Sequence, residues 1–299
     1  MAALKRSLSR LGCLLITVSN VTPAASIFIM GQDVIRQAGT GALICFLAAG
    51  LLGLATAYVY AELSSALPLT GGEYSMIGRT LGPVWGFMAL GINLVGGGLG
   101  QAVTALGLAE YLGVVVPNAP ALPTALAATV AVTGLSILHV RTNAWITGVF
   151  LVVELAALSL LAGLGFLHPH RGLGSVLLHP VMLNAAGALQ PASFAMIGTA
   201  TAGAVYAFNG YGGAVFFGEE MHEAKTRLAW VVFWSLGIAA VAELGPVTGF
   251  LLGAGDLHQV LAAAAPLPAF IQAVGGVWLD KAISLGVAFA IVNAMIALA

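Results

Sequence analysis

Apolar stretches long enough to cross a membrane occupy most of this chain of 299 residues. A spanning helix needs roughly 20 mostly apolar residues to cross about 30 Å of hydrocarbon. The predicted spans are 11–35, 41–67, 84–112, 121–139, 144–167, 192–219, 228–252 and 282–299. Strands of a membrane barrel would be short and would alternate in polarity, unlike these continuous runs. The sequence therefore predicts an all-α, polytopic helical membrane protein with about eight spans in a single transmembrane domain, 1–299.

The composition argues against most classes of soluble protein. Apolar residues make up 60% of the chain and charged residues 7%, whereas soluble domains carry nearer a quarter charged residues. The formal net charge is −1, so no basic stripe is available for phosphates and nucleic acid is not an expected partner. Cys13 and Cys45 lie on different spans, and neither a disulfide nor a metal site is predicted. The expected partner is the lipid bilayer, and the oligomeric state is left open.

The distribution of Lys and Arg between alternate loops predicts an orientation. If the N-terminus is inside, seven basic residues fall on the inner side and three on the outer side. The positive-inside rule therefore favours a cytoplasmic N-terminus, and the expected location is the plasma membrane. The inner set is Lys5, Arg6, Arg10, Arg79, Arg141, Lys225 and Arg227, and the outer set is Arg36, Arg171 and Lys281.

The first predicted span contains a polar run, Ser-Asn-Val-Thr-Pro-Ala-Ala-Ser, at residues 19–26. Pro23 removes one backbone donor and clashes with the preceding turn, and the Ser, Asn and Thr side chains compete for backbone hydrogen bonds. Non-helical backbone at this depth is tolerated only where it lines a cavity or is buried in protein. We therefore predict a break near mid-membrane, with a simple proline kink in a packing helix as the alternative.

The sixth predicted span contains a glycine cluster, in which Gly210, Gly212 and Gly213 follow Asn209. An unbroken helix is not expected there, although the glycines would also suit close helix contact. Four spans separate the two predicted breaks. Inverted repeats of five helices place broken helices at corresponding positions, and the substrate site lies where they meet. The spacing thus predicts a 5+5 inverted-repeat fold in which the first and sixth helices are broken.

The ends of the broken helices suggest the chemistry of a ligand. Free N–H groups, expected near Ser26 and Gly212, would attract an anion. Free carbonyls, expected near Val21 and Ala207, would attract a cation. A small zwitterion with a carboxylate and an ammonium group fits this pattern, so an amino acid or a related amine is the predicted substrate.

Two blocks of sequence resemble the amino acid–polyamine–organocation (APC) superfamily of permeases. The first block, 60–87, reads YAELSSALPLTGGEYSMIGRTLGPVWGF, and the second, 206–228, reads YAFNGYGGAVFFGEEMHEAKTRL. They are similar to the segment between the second and third helices of that family and to its broken sixth helix. The resemblance covers the first eight of the family's usual twelve helices, so the second repeat is expected to be incomplete.

The resemblance implies secondary active transport by alternating access, and no enzymatic activity. The alternative is a truncated, non-transporting fragment or a subunit that needs a partner chain. No cofactor is expected, and coupling to protons or to sodium is left open, as are symport against exchange and the identity of the amino acid. The family often has glycines at the first break, where this chain has Ala24 and Ala25.

The predicted site residues fall into three groups, with no catalytic and no metal-binding residue among them. Glu154 is the candidate for ion coupling, because it aligns roughly where proton-coupled members carry a Lys, and a neutral packing carboxyl is its alternative. Glu243, in the seventh span, raises the same question. The gate candidates are Glu62, Glu219 and Glu220, with anchoring of helix ends as the alternative. The predicted substrate-binding residues are Thr22, Pro23, Ala24, Ala25, Ser26, Ala207, Phe208, Asn209, Gly210 and Tyr211.

Overall fold

The structure, a computed structural model, describes residues 8–69, 71–116, 118–136 and 140–298. The protein is 82% helical, which confirms the prediction of a polytopic helical membrane protein. The α-helices are α1 Arg10–Val21, α2 Pro23–Ala25, α3 Gln32–Ala38, α4 Ala42–Ala66, α5 Gly72–Thr80, α6 Pro83–Val115, α7 Ala121–Ser136, α8 Val140–Leu167, α9 Leu173–Leu178, α10 Phe194–Ala207, α11 Ala224–Gly253, α12 Leu257–Ala262 and α13 Pro266–Leu298.

Helices long and apolar enough to cross a membrane recur along the described chain. Five such stretches are Arg10–Ala66, Pro83–Val115, Val149–Leu167, Ala224–Gly253 and Pro266–Ile296. The first contains both of the first two predicted spans, which the structure separates by a 3₁₀ turn, Gly39–Gly41. The division into eight spans stays a prediction, and the predicted ends at residues 139 and 299 lie outside the described residues.

Helix α13 begins well before the predicted start of the eighth span, at Pro266 rather than near residue 282. Its two parts meet at Gly276, whose φ of 80° departs from helical geometry. A positive φ is strained for residues with a Cβ, so glycine suits this bend. The sequence-based boundary fell beyond the bend because the more polar Asp280 and Lys281 interrupt the apolar run.

A small β-hairpin lies in the loop before α10 and is a difference from the all-α expectation. Strand β1, Val181–Leu183, pairs antiparallel with β2, Leu189–Pro191. The turn between them is closed by Asn184, whose side chain accepts from two backbone N–H groups, and by Gly187 at φ 77°. Strands this short carry no alternating pattern, so the hydropathy of the sequence did not indicate them.

Helix α11 packs between α4 and α8, while α13 packs against α6 and α8. Close approach is greatest where small residues meet, since a Cβ added to Gly249 would lie 2.6 Å from the carbonyl oxygen of Ala162. The glycine run 96–98 behaves differently, because a Cβ there would meet no described atom within 4 Å. A glycine therefore marks a helix contact at Gly249 but not in the run 96–98 of α6.

The C-terminus of α11 is capped by the loop that follows α8. The backbone N–H of His170 donates to the carbonyl of Leu252 at 2.8 Å, and the Arg171 guanidinium donates to that of Leu251 at 2.8 Å. The last carbonyls of a helix lack intrahelical donors, and a cation is favourable beside them. Burial lowers the pKa of Arg171 below its ordinary value. This cap fixes the end of the central helix relative to the loop.

Candidate functional site

The first break lies at Thr22, as the polar run predicted. Helix α1 ends at Val21, and Thr22 adopts a left-handed conformation with φ 46° and ψ 63°. The chain then re-enters a helix at Pro23, a position where proline sacrifices no intrahelical hydrogen bond. The expected restart near Ser26 is wrong by three residues. Residues Ser26–Gly31 form a π-helical segment instead, a geometry that is frequent at functional sites.

Polar groups at the first break are satisfied from within the protein. The Ser26 hydroxyl donates to the carbonyl of Val21 at 3.1 Å, which is the last carbonyl of α1. The backbone N–H of Ser26 donates to the carbonyl of Thr22 at 3.0 Å. Every residue from Val21 to Ile29 is buried. The five predicted binding residues 22–26 therefore lie inside the helix bundle.

The second break lies at the glycine cluster, also as predicted. Helix α10 ends at Ala207, and Gly210 has φ 114°, a conformation that favours glycine. The Asn209 side-chain oxygen accepts from the N–H of Gly210 at 3.0 Å. A 3₁₀ segment, Tyr211–Phe217, follows. Asn209 is exposed, in contrast to the buried residues of the first break.

The two breaks contact each other through their backbones. A Cβ added to Gly210 would lie 2.8 Å from the Cα of Val21 and 2.9 Å from the carbonyl oxygen of Asn20. A Cβ on Gly213 would lie 3.0 Å from the side-chain nitrogen of Asn20. Asn20 is exposed. Sequence reasoning noted it within the polar run but did not select it as a site residue.

The aromatic residues of the second break pack against α4. Phe208 is 1% exposed, and its ring centroid lies 6.1 Å from that of Phe46. The ring of Tyr211 lies 6.2 Å from that of Tyr60. Ala207 is also buried. Contact of these side chains with a substrate stays a prediction, and in this conformation their neighbours are protein side chains.

Glu154 lies beside the first break and is fully buried. Its Oε1 accepts from the amide of Asn293 on α13 at 3.2 Å, and the same amide donates to the hydroxyl of Ser19 at 3.2 Å. The carboxyl group also lies close to the backbone N–H of Ala24. Its Oε2 has no hydrogen-bond partner among the described residues. Three separate helices thus converge on one carboxyl group at the break.

Glu243 is also buried, on α11, and neither of its carboxyl oxygens has a hydrogen-bond partner in the described part of the chain.

The gate candidates are more exposed. Glu62 is exposed near the end of α4. Glu219 lines a cleft of about 570 Å³ between α5 and the start of α6, together with Arg79. The backbone carbonyl of Glu220 accepts from the N–H of Leu8 at 3.0 Å.

A second polar cluster, which sequence reasoning missed, holds the π-helical segment against α6. The hydroxyl of Tyr111 donates to the carbonyl of Phe28 at 2.5 Å, and the Phe28 and Tyr111 rings meet edge to face. Gln32 donates to Glu110 at 2.9 Å. The signal for this cluster was the adjacent pair Glu110 and Tyr111 near the end of the predicted span 84–112. Among the described residues, no three His, Cys, Asp or Glu side chains gather as metal ligands would.

Apolar spans, together with two broken helices whose breaks touch, define a polytopic helical membrane protein. The sequence profile of the amino acid permease family, a family within the APC superfamily, matches residues 8–299. The chain belongs to this family, which confirms the resemblance seen in its sequence blocks. The family points to a transporter rather than an enzyme.

Relatives with curated names agree with this family. The chain is 28% identical to an uncharacterized transporter of Mycobacterium tuberculosis, over 99% of this chain and 63% of the relative. It is 29% identical to the human Asc-type amino acid transporter 1, over 78% of this chain and 46% of the relative. It is 34% identical to the mouse large neutral amino acids transporter small subunit 2, over 37% of this chain and 21% of the relative. The chain thus spans less than two thirds of the length of these relatives.

Proposed function

We propose that the protein is a secondary active transporter of an amino acid or a related amine, and that it works by alternating access. The observation that carries this proposal is the contact between the two breaks, where Gly210 lies against the backbone of Asn20 and Val21. Irregular backbone at membrane depth is tolerated only where it is buried in protein or lines a cavity, and a substrate site is such a cavity. The names of the two amino acid transporters among the relatives support this substrate class.

The polarity of the broken helices suits a zwitterion. Helices α1 and α10 end at Val21 and Ala207, so their carbonyl ends point toward the breaks. The chain re-enters helical structure at Pro23 and Tyr211, and backbone N–H groups are carried at the first start by the residues after Pro23, which has none itself. Carbonyl ends favour an ammonium group and N–H ends favour a carboxylate. We propose that residues 22–26 and 207–211 bind the two charged groups of the substrate.

Glu154 is the proposed coupling residue. A buried carboxyl group with one unpartnered oxygen is costly as an anion, so it favours either a proton or a bound cation. Its contact with the backbone of Ala24 would transmit a change in charge directly to the first break. Whether the coupling ion is H⁺ or Na⁺ is decided by the experiment below.

We further propose a 5+5 inverted repeat, a plasma-membrane location and a cytoplasmic N-terminus. The pairing of Leu8 with Glu220 and Met221 places the residues just before α1 beside those just after the 3₁₀ segment Tyr211–Phe217. Arg10 stacks on Trp230 at 4.3 Å and Arg227 pairs with Glu223 at 2.7 Å near these residues. These basic residues match the positive-inside pattern. Glu62, Glu219 and Glu220 are the proposed gate residues there.

A second candidate function is supported by the finding that the chain spans less than two thirds of the length of its relatives. In that case the chain does not transport by itself and acts with a partner chain or with further helices. The polar faces of α1 and α10 would then need neighbours from elsewhere to form a complete site. The two breaks meet within the chain in this candidate as well, and the added helices would complete the site around them.

One experiment tests the two candidates. The purified chain is reconstituted in liposomes, and accumulation of labelled amino acids and amines is measured under an imposed proton or sodium gradient. Gradient-dependent accumulation that the Asn209→Ala variant loses would support the first candidate, and the effective gradient would identify the ion. A chain that accumulates nothing alone, yet does so when further helices or a partner are supplied, would establish the second candidate and overturn the first.

A further inference from the structure

A hydrogen bond joins α4 to α5 directly beside the second break. The hydroxyl of Tyr60, near the end of α4, donates to the Oε1 of Glu73 in the first turn of α5 at 2.5 Å. A hydrogen bond from a hydroxyl to a carboxylate is charge-assisted, and such bonds are about twice as strong as neutral ones. The pair is partly buried. It therefore contributes a specific, directional contact rather than a solvated surface pair.

The ring of Tyr60 lies against the 3₁₀ segment at a glycine. A Cβ added to Gly212 would lie 2.6 Å from a ring carbon of Tyr60, so no other residue fits there without movement. The neighbouring ring of Tyr211 lies 6.2 Å away. Tyr60 thus contacts the second break with its ring while its hydroxyl is held by Glu73.

A second contact between a ring and a glycine has the ring on the 3₁₀ segment and the glycine on α5. Phe216, on the 3₁₀ segment, places its ring against Gly72, where a Cβ would lie 2.6 Å from a ring carbon. Gly72 has φ 50°, which further restricts the position to glycine. Gly218 is equally close to the backbone of Pro68, at 2.6 Å for an added Cβ. Each side therefore contributes one aromatic ring and one glycine to the same interface.

Helix α5 is itself fixed to α6. A Cβ on Gly86, at the start of α6, would lie 2.7 Å from the Cα of Gly78 on α5. The side of the interface that carries Glu73 and Gly72 is therefore anchored. The other side, Tyr211–Phe217, follows a break whose hydrogen bonds at Asn209 and Gly210 are local. The 3₁₀ segment also packs against α1 and α11, so the interface with α4 and α5 is one of several that hold it in place.

We propose that Tyr60, Glu73, Gly72, Gly212 and Phe216 form a latch that holds the second half of the broken sixth span closed against α4 and α5. This proposal rests on the proposed transport function. Tyr60 and Glu73 are positioning residues, and they set the rate at which the substrate site opens toward this end of the molecule. Opening requires that one short hydrogen bond breaks and that both rings leave their glycines.

The test removes the hydroxyl and keeps the ring. Amide hydrogen exchange in 211–217 is compared between the wild-type chain, Tyr60→Phe and a matched control, Tyr58→Phe, whose residue lies two positions earlier and is 63% exposed. Loss of a hydrogen bond to a charged group should speed exchange there by on the order of tenfold in Tyr60→Phe. The control should match the wild type. Glu73→Gln, which keeps an acceptor oxygen, should fall between them.

Transport measurements complete the test in proteoliposomes. Tyr60→Phe should raise the rate of substrate release from the end that carries α5 several-fold, while substrate affinity changes less than twofold. Unchanged exchange in 211–217 relative to Tyr58→Phe overturns the latch, whether or not any amino acid is transported. Exchange that rises equally in every helix of Tyr60→Phe also overturns it, because the contact is then merely structural. If the wild-type chain transports nothing, the proposed transport function is overturned. The latch is then judged from the hydrogen-exchange result alone.

Discussion

The two breaks solve the same backbone problem in different ways. The first uses Thr22 in a left-handed conformation followed by Pro23, and it is buried on every side. The second uses Gly210 at φ 114° and leaves Asn209 exposed. A non-glycine residue in the left-handed region is strained and persists only when its surroundings hold it there. The backbone of the first break is therefore held in place by the surrounding helices. At the second break, glycine adopts the required backbone conformation without strain.

The hydrogen bonds of the two breaks show the same contrast. Around the first break, Asn293 donates to Ser19 and Tyr111 donates to the carbonyl of Phe28, and the carboxyl group of Glu154 lies close to the backbone N–H of Ala24. Around the second, Asn209 and Gly213 both bond to Gly210, within the same turn. Displacing the first break would thus cost several long-range bonds at once, and displacing the second would cost few. We infer that the second break is the mobile half of the site and the first is the fixed half.

The largest expected effect comes from adding one methyl group where the breaks touch. Gly210→Ala would place a Cβ against Val21 and Asn20 and would also strain the backbone at φ 114°. We expect a loss of about 2 to 5 kcal/mol in the free energy of unfolding and no measurable substrate binding. Thermal unfolding in detergent and a binding titration measure both.

A glycine on a regular helix provides the control for Gly210. Gly237 on α11 has open space around its Cβ position among the described residues. Gly237→Ala should therefore stabilise the protein by roughly 0.5 to 1 kcal/mol. If Gly210→Ala is as stable as this control and still binds substrate, the two breaks do not touch in the working protein.

The next effect concerns the exposed side of the second break. Asn209→Ala should weaken amino acid binding at least tenfold and change the free energy of unfolding by less than about 0.5 kcal/mol, because the residue is exposed. Asn209→Asp keeps the oxygen that accepts from the N–H of Gly210, and it should retain the fold of the turn. Wild-type affinity in the alanine variant, measured by calorimetry, would remove Asn209 from the site.

A smaller effect is expected at the fixed half, where Glu154 faces Ala24. Glu154→Gln keeps an oxygen for the Asn293 amide but cannot gain or lose a proton. Uptake by this variant should therefore lose its dependence on pH while keeping a rate within several-fold of the wild-type optimum. Glu110→Gln is the control, since Glu110 is bonded to Gln32 rather than to the break. A pH profile identical to that of the wild type would exclude Glu154 as a proton carrier.

Local chemistry allowed the positions of both breaks to be predicted from the sequence. Proline and glycine act within one or two turns of their own helix, so the ends of α1 at Val21 and of α10 at Ala207 fall where Pro23 and the glycine cluster indicate. The restart at Pro23 and the π-helical segment were not predicted. The π-helical segment is bonded from another helix by Tyr111, which donates to the carbonyl of Phe28, and a contact between distant helices leaves no local signal in the sequence.

The contacts around the site could not be predicted from the sequence either, because they join residues that are far apart along the chain. Gly210 meets Val21 across nearly 190 residues of chain, a separation at which no periodicity carries information. Ser19, Glu154 and Asn293 could each be recognised as polar residues in apolar spans, but the bonds that Asn293 makes to both Ser19 and Glu154 could not. The sequence analysis therefore identified which helices break and left open what surrounds each break.

The smallest expected effect concerns the hydroxyl that satisfies the end of α1. Ser26→Ala removes the donor to the Val21 carbonyl at 3.1 Å and leaves that buried carbonyl without this partner. We expect a loss of about 1 kcal/mol in the free energy of unfolding. Thr201→Ala is a matched control, because the Thr201 hydroxyl donates to the carbonyl of Ile197 within a regular helical turn. A larger loss for Ser26→Ala than for Thr201→Ala would show that the first break depends on its internal cap. Equal losses would mean that the packing of α6, α8 and α13 alone holds the first break in place.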